Sequence, residues 1–175
     1  MSSGSLDDIP RGSLCVVDTN VLLYAEEGAS LQAQRFVQRI VRRELVGTLP
    51  QPVWHELSHK LMLAEALALG LVTASRPAQR LAGKPEAVQR LSLYRDKLAA
   101  LATMGFGFEP CTRHDFMESA FEHQKKYGLL TNDSVVLAIA LRLKANALIT
   151  ADQALLSVRD IPVFRPTDLR LGGLS

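Results

Sequence analysis

Residues 14–24 read LCVVDTNVLLY. Leu14 to Val17 make a short continuous apolar run, which ends at Asp18-Thr19-Asn20, and Val21, Leu22, Leu23 and Tyr24 then begin a helical pattern. The stretch is therefore a strand, a turn and a helix. From Ser30 to Arg43 the apolar positions Ala33, Phe36, Val37, Ile40 and Val41 keep helical spacing, while Arg35, Arg39 and Arg42 line the opposite face. A brief strand over 46–49 leads through Pro50 and Pro52 into a long helix over 53–69, which Gly70 stops.

The alternation continues downstream. Pro77, Gly83 and Pro85 mark 71–86 as a loop or broken helical excursion, and a further helix is expected over 86–104. Residues 106–111 read as a strand, and Thr112 with Asp115 forms a capping-box-like start to a helix that Gly128 ends. The segment 132–144 is apolar nearly all round, so it reads as a buried helix. A strand over 147–150 follows, Asp152 opens a short helix, and Val163–Phe164 is expected as a last edge strand beside Pro162 and Pro166. Strands alternating with helices imply an α/β fold, a three-layer α/β/α sandwich on a small, mostly parallel sheet.

Length and composition agree. The chain has 175 residues, 47% hydrophobic and 22% charged, which suits one globular domain and excludes disordered and fibrous classes. Lys and Arg number 20 against 18 Asp and Glu, a net charge of +2, so any nucleic-acid contact has to come from a local patch. Charges interrupt every apolar stretch before the roughly 18 residues a spanning helix requires, so no membrane span is expected. Cys15 and Cys111 have no CxxC spacing and read as reduced thiols in a cytoplasmic protein. Residues 1–13 are polar, with Pro and Gly, and read as a flexible leader ahead of a single domain over 14–175.

In an open parallel sheet, ligands bind beyond the carboxyl ends of the strands. Asp18 and Asp152 each follow a strand directly, Asp133 opens the apolar helix, and Glu56 lies in the first turns of the helix after the second strand. Each acid alone reads as an ordinary cap. Together they are four carboxylates that the winding brings to one edge. Two unit charges about 4 Å apart repel by about 4 kcal/mol at an effective dielectric of about 20, so a cluster of this kind requires cations. Oxygen donors select Mg²⁺ or Mn²⁺, and such ions activate water and stabilise the leaving oxygen of a phosphodiester. Asp18 is expected to anchor the metal, with Glu56, Asp133 and Asp152 sharing metal binding and water orientation. Asp7, Asp8, Glu26, Glu27, Asp115 and Asp160 read as leader, helix-end, cap or turn residues.

The segments CVVDTNVLLYA (15–25), VWHELSHKL (53–61), LLTNDSVVLAIAL (129–141) and ALITAD (147–152) resemble the PIN-domain nucleases, especially the VapC-type toxins. The resemblance runs from residue 14 to about 168. It implies that Asp18, Glu56, Asp133 and Asp152 form the catalytic metal site, with Thr19, Asn20 and Thr150 supporting it. It further implies Mg²⁺- or Mn²⁺-dependent cleavage of an RNA substrate, a homodimer, and a small antitoxin protein that blocks the site. A housekeeping RNA-processing nuclease is the alternative within the fold. One departure stands out: the stretch from Gly70 to about Arg90 is longer than the helical hairpin of compact toxins.

His55-Glu56-Leu57-Ser58-His59 is also a literal H-E-x-x-H, the zinc-peptidase signature. The extended form fails, because Met62 stands where Gly is required and Glu65 where the third His belongs. A zinc site also leaves Asp18, Asp133 and Asp152 unexplained. His55 and His59 then read as helix-surface residues flanking Glu56, Lys60 as a surface partner of Glu56, Trp54 as a packing residue, and the Arg35, Arg39, Arg42 and Arg43 face as solvated.

Overall fold

The structure, a computed structural model, describes residues 3–169. Six strands form one sheet: β1 (Gly4–Ser5), β2 (Leu14–Val17), β3 (Val46–Pro50), β4 (Gly107–Glu109), β5 (Ala147–Ile149) and β6 (Val163–Arg165). Their order is β1-β6-β5-β2-β3-β4, and every pairing is parallel. From β2 the chain winds one way through β3 to β4, then returns to β5 on the other side of β2. The winding direction therefore reverses between β2 and β5, the place where open α/β sheets form their crevice.

Helices α1 (Thr19–Glu26) and α2 (Leu31–Val41) connect β2 to β3, and α3 (Gln51–Ala68), α4 (Pro77–Ala82), α5 (Pro85–Arg90) and α6 (Leu93–Met104) connect β3 to β4. A π-helical turn (Asp115–Ser119), α7 (Ala120–Tyr127) and α8 (Thr131–Arg142) lead to β5. Right-handed crossovers place the first two groups on one face of the sheet and α7–α8 on the other, giving the expected three layers. Val16, Val17, Leu148 and Ile149 are fully buried in the two central strands, and α8 buries seven successive residues, Ser134 to Ala140. Burial of each Leu, Ile or Val contributes about 1.5–3 kcal/mol, enough to fix α8 against the sheet although it lacks a side-chain N-cap. Gly47 lets β3 lie under Phe106: a Cβ there meets that ring at 2.8 Å. No described helix is long and apolar enough to cross a membrane.

Four expectations change. Residues 4–13 are not a flexible leader: β1 pairs with β6, Leu6 and Ile9 are buried, and Arg35 grips Asp7 at 2.6 and 3.1 Å while Arg39 donates to the Leu6 and Ile9 carbonyls. Two apolar anchors in a polar segment suffice to dock it, and they occupy part of the arginine face expected to be solvated. As a result β6 is not an edge strand, since β1 lies outside it. The helix expected over 86–104 is broken at Leu91–Ser92, where Glu65 accepts the amides of Ser92, Leu93 and Tyr94 at 2.9–3.1 Å and anchors the start of α6. Finally, β4 spans only Gly107–Glu109, so Cys111 lies beyond it.

Candidate active site

The chain leaves β2 at Asp18, which caps α1 in an extended conformation and accepts the Thr19 amide at 2.7 Å. Its other oxygen accepts from Thr150 Oγ1 at 2.7 Å and Asn20 Nδ2 at 2.9 Å. Thr150 follows β5 immediately, and its hydroxyl in turn accepts the Asp152 amide at 3.0 Å. Asn20 Oδ1 accepts the Ala151 amide at 3.0 Å. The ends of β2 and β5 are thus stitched together by Asn20 and Thr150, two of the three polar residues expected to support the acids.

Glu56 reaches the same rim from the second turn of α3. It accepts from Thr19 Oγ1 at 3.1 Å and from Lys60 Nζ at 2.7 Å, the one-turn pair expected on this helix. Asp133 enters from the first turn of α8, half-buried. Asp152 turns back on its own loop, accepting the Ala154 amide at 2.7 Å.

Electrostatics join the four. Asp133 is pushed up to about 6, first by burial and then by the charges of Asp152, Asp18 and Glu56. Asp18 also lies above the ordinary carboxylate range: burial outweighs the hydrogen bonds from Thr150 and Thr19, and Glu56 and Asp152 add to the rise. Asp133 and Asp18 thus each feel Glu56 and Asp152, and the Lys60 ammonium is bonded to Glu56.

The donor set is oxygen-only and under-neutralised, which matches a hard divalent cation and not zinc. The match lies in donor chemistry and charge, because among the described residues no three His, Cys, Asp or Glu side chains stand close enough together to form a ready-made cage. The same observation removes a preformed zinc site at His55 and His59, both of which are exposed.

Beside Glu56 opens a groove of about 540 Å³ whose walls include Gln51, His55, Cys111, Phe116 and Asn132. Phe116 and Cys111 carried no signal in sequence, because the groove wall exists only once the π-helical turn folds against α3. Trp54 packs partly against the core near Phe108, at 6.3 Å between ring centroids, and its buried indole N–H has no partner among the described residues. Asp115 is more than the cap expected of it. Thr112 and Asp115 do exchange backbone–side-chain hydrogen bonds at 2.8 and 3.1 Å, but the buried carboxylate also receives Arg142 Nε at 2.9 Å. Asp7, Glu26 and Asp160 pair with Arg35, Lys97 and Lys126 and stand apart from the rim.

A parallel sheet whose winding reverses beside acids at its carboxyl rim defines a class of α/β domains that bind their ligands at that rim. The family model described as the PIN domain matches residues 15–161, and the chain belongs to that family. Among solved structures it is similar to VapBC2 from Rickettsia felis bound to a promoter DNA fragment, with a TM-score of 0.55 at 12% identity over 87% of this chain and 98% of that one. It is similar also to a toxin–antitoxin complex from Klebsiella pneumoniae, with a TM-score of 0.52 at 19% identity over 85% and 94% of the two chains. A third likeness is to FitAB bound to the IR36 DNA fragment, with a TM-score of 0.51 at 12% identity over 87% and 94%. No curated protein matches the sequence.

Proposed function

We propose that this chain is a divalent-metal-dependent endoribonuclease and the toxin of a toxin–antitoxin pair, with Asp18, Glu56, Asp133 and Asp152 as its catalytic and metal-binding residues. The observation that carries the reading is the elevation of Asp133, first by burial and then by the charges of Asp152, Asp18 and Glu56. Charge of that kind, left uncompensated, opposes folding; a bound Mg²⁺ or Mn²⁺ relieves it, activating water and polarising the scissile phosphate when present. Asp18, locked by Thr19, Asn20 and Thr150, is the rigid anchor of the set. Glu56 would help hold the cation, and Lys60, bonded to it at 2.7 Å, would then be released as a positive charge for a phosphate. The groove past Gln51 and Asn132, which Glu56 also lines, is the place this reading assigns to an unpaired strand.

The solved neighbours include a toxin–antitoxin complex, and this favours an antitoxin partner over a housekeeping role in RNA processing. A homodimer and a cytoplasmic location belong to the same reading. The test is RNA cleavage with Mg²⁺ or Mn²⁺, with and without chelator, for the wild type, Asp18→Asn, Asp133→Asn and His59→Ala. Loss in both Asp variants with retention in the His variant supports the nuclease; the reverse pattern supports a zinc peptidase. Co-expression with the product of any short adjacent gene separates toxin from housekeeping enzyme, since only the toxin is silenced by it.

A further inference from the structure

We infer that the helical excursion over 71–92 is a basic arm that holds the backbone of a single-stranded RNA entering the crevice; the inference rests on the nuclease reading above. The charge distribution leads to it. Residues 71–92 contain Arg76, Arg80, Lys84 and Arg90 against Glu86 alone, a net +3, whereas the whole chain carries +2. The other 153 residues therefore sum to −1, so this segment supplies the chain's excess of positive charge.

These cations are also differently employed from others on the surface. Arg35, Arg39, Lys60, Lys97, Lys126 and Arg142 each bind a carboxylate. Among the described residues, Arg76, Arg80, Lys84 and Arg90 form no such pair, and all four are exposed. Arg80 Nε instead donates to the Ser75 carbonyl at 2.9 Å, and Lys84 Nζ to the Leu71 carbonyl at 2.8 Å. Neutral acceptors fix the positions of the two heads around the turn between α3 and α4 without cancelling their charge. Arg76 sits in the same turn, in a left-handed conformation with φ of 51°.

The arm is built to keep its place. Ala66, Val72, Leu81, Ala87 and Leu91 form a small core of their own against the end of α3, and the buried Glu65 clamps the start of α6 through three amides. Glu65 is nine residues beyond Glu56 on one helix, about 14 Å at 1.5 Å per residue. Of the four acids Glu56 lies on α3, and the far end of that helix leads into the basic turn, so the two are joined through one rigid element. An anionic rim repels a polyanion until cations are bound, so a separate cationic foothold joined to it through α3 lets the substrate dock before the chemistry.

The experiment compares the full-length wild type, Arg76→Gln/Arg80→Gln/Lys84→Gln, and the same positions changed to Lys where they are Arg. Binding of a fluorescein-labelled single-stranded RNA is followed by anisotropy in chelator, across a salt series, and cleavage is followed separately with Mg²⁺. The neutral variant is expected to lose affinity and to flatten the slope of log K against log salt by about 2, from three contacts at about 0.7 each. Its KM rises while kcat and the melting temperature hold, and the Lys variant restores binding. Unchanged affinity and slope in the neutral variant overturn the arm, as does a loss that Lys fails to restore, or binding to anionic vesicles in place of RNA. If the wild type binds RNA through the arm but Asp133→Asn cleaves normally, the catalytic reading fails and the arm stands. If Asp133→Asn abolishes cleavage while the neutral variant binds and cleaves as the wild type does, the nuclease stands and the arm falls.

Discussion

Two groups of acids lie in this molecule, and their treatment differs. At Arg142, Asp115 and Glu109 share one guanidinium, at 2.9 and 2.8 Å. Burial works against the Asp115 carboxylate, yet Arg142 and the Thr112 donors outweigh it and hold its pKa below the usual range. At the crevice, Asp18 and Asp133 are shifted the other way, with Lys60 bonded to Glu56 as the compensating side chain. Paired acids consolidate the fold; under-compensated ones, on the proposed reading, await a cation. The direction of the shift, and not the presence of an acid, separates the two groups.

That contrast is broken most readily by removing one acid from each group. Asp18→Asn and Asp133→Asn should each lower cleavage by about 100-fold or more, about 3 kcal/mol of transition-state stabilisation, measured as kcat/KM with Mg²⁺. Asp115→Ala should instead destabilise the fold by about 2 kcal/mol in urea titration, since it removes the buried acceptor of Thr112 and Arg142 and leaves Arg142 with Glu109 as its one carboxylate partner. The next effect has the opposite sign. Asp133 keeps its proton to about 6 in the folded chain against about 3.9 when unfolded, so the folded state binds more protons across that interval. Stability accordingly falls as pH rises through it. Asp133→Asn should abolish that fall and raise stability at neutral pH, by about 1 kcal/mol once solvent screening of a half-exposed group is allowed for. Mg²⁺ should stabilise the wild type and do little for this variant, as read by thermal melts with and without the ion. Cleavage should also climb with pH as Asp133 ionises, and the rise should move to lower pH as Mg²⁺ is increased, because a bound cation opposes the neighbouring charges that hold the proton on. The smallest effect belongs to His59→Ala, which leaves cleavage within about twofold if the H-E-x-x-H match is accidental.

Much of the architecture was legible because period and punctuation agree. The four apolar residues of β2, Gly70 with its φ of 67° at the end of α3, and the uniformly apolar α8 all declare themselves locally. The positions of Asp18 and Asp152 after their strands were legible for the same reason, whereas the strand order that sets β5 beside β2 was not. What failed was long-range. Nothing near Leu6 or Ile9 in sequence announces that Arg35 and Arg39 wait for them, and a polar segment with two apolar residues looks unstructured until its partners are in place. The break at Ser92 is similar, since it depends on Glu65 arriving from α3. Asp115 could be read only as a cap, because Arg142 lies 27 residues away and meets it only when α8 packs on the π-helical turn.

The two-residue β1 has a practical corollary. It covers the outer amides and carbonyls of β6, so shortening the protein past Ile9 would leave a bare strand margin that neighbouring molecules can extend. The symptom of such trimming would be polymers and clouded solutions at an almost unaltered helix content, a fault of colloidal behaviour in a protein whose catalytic groups had not been touched.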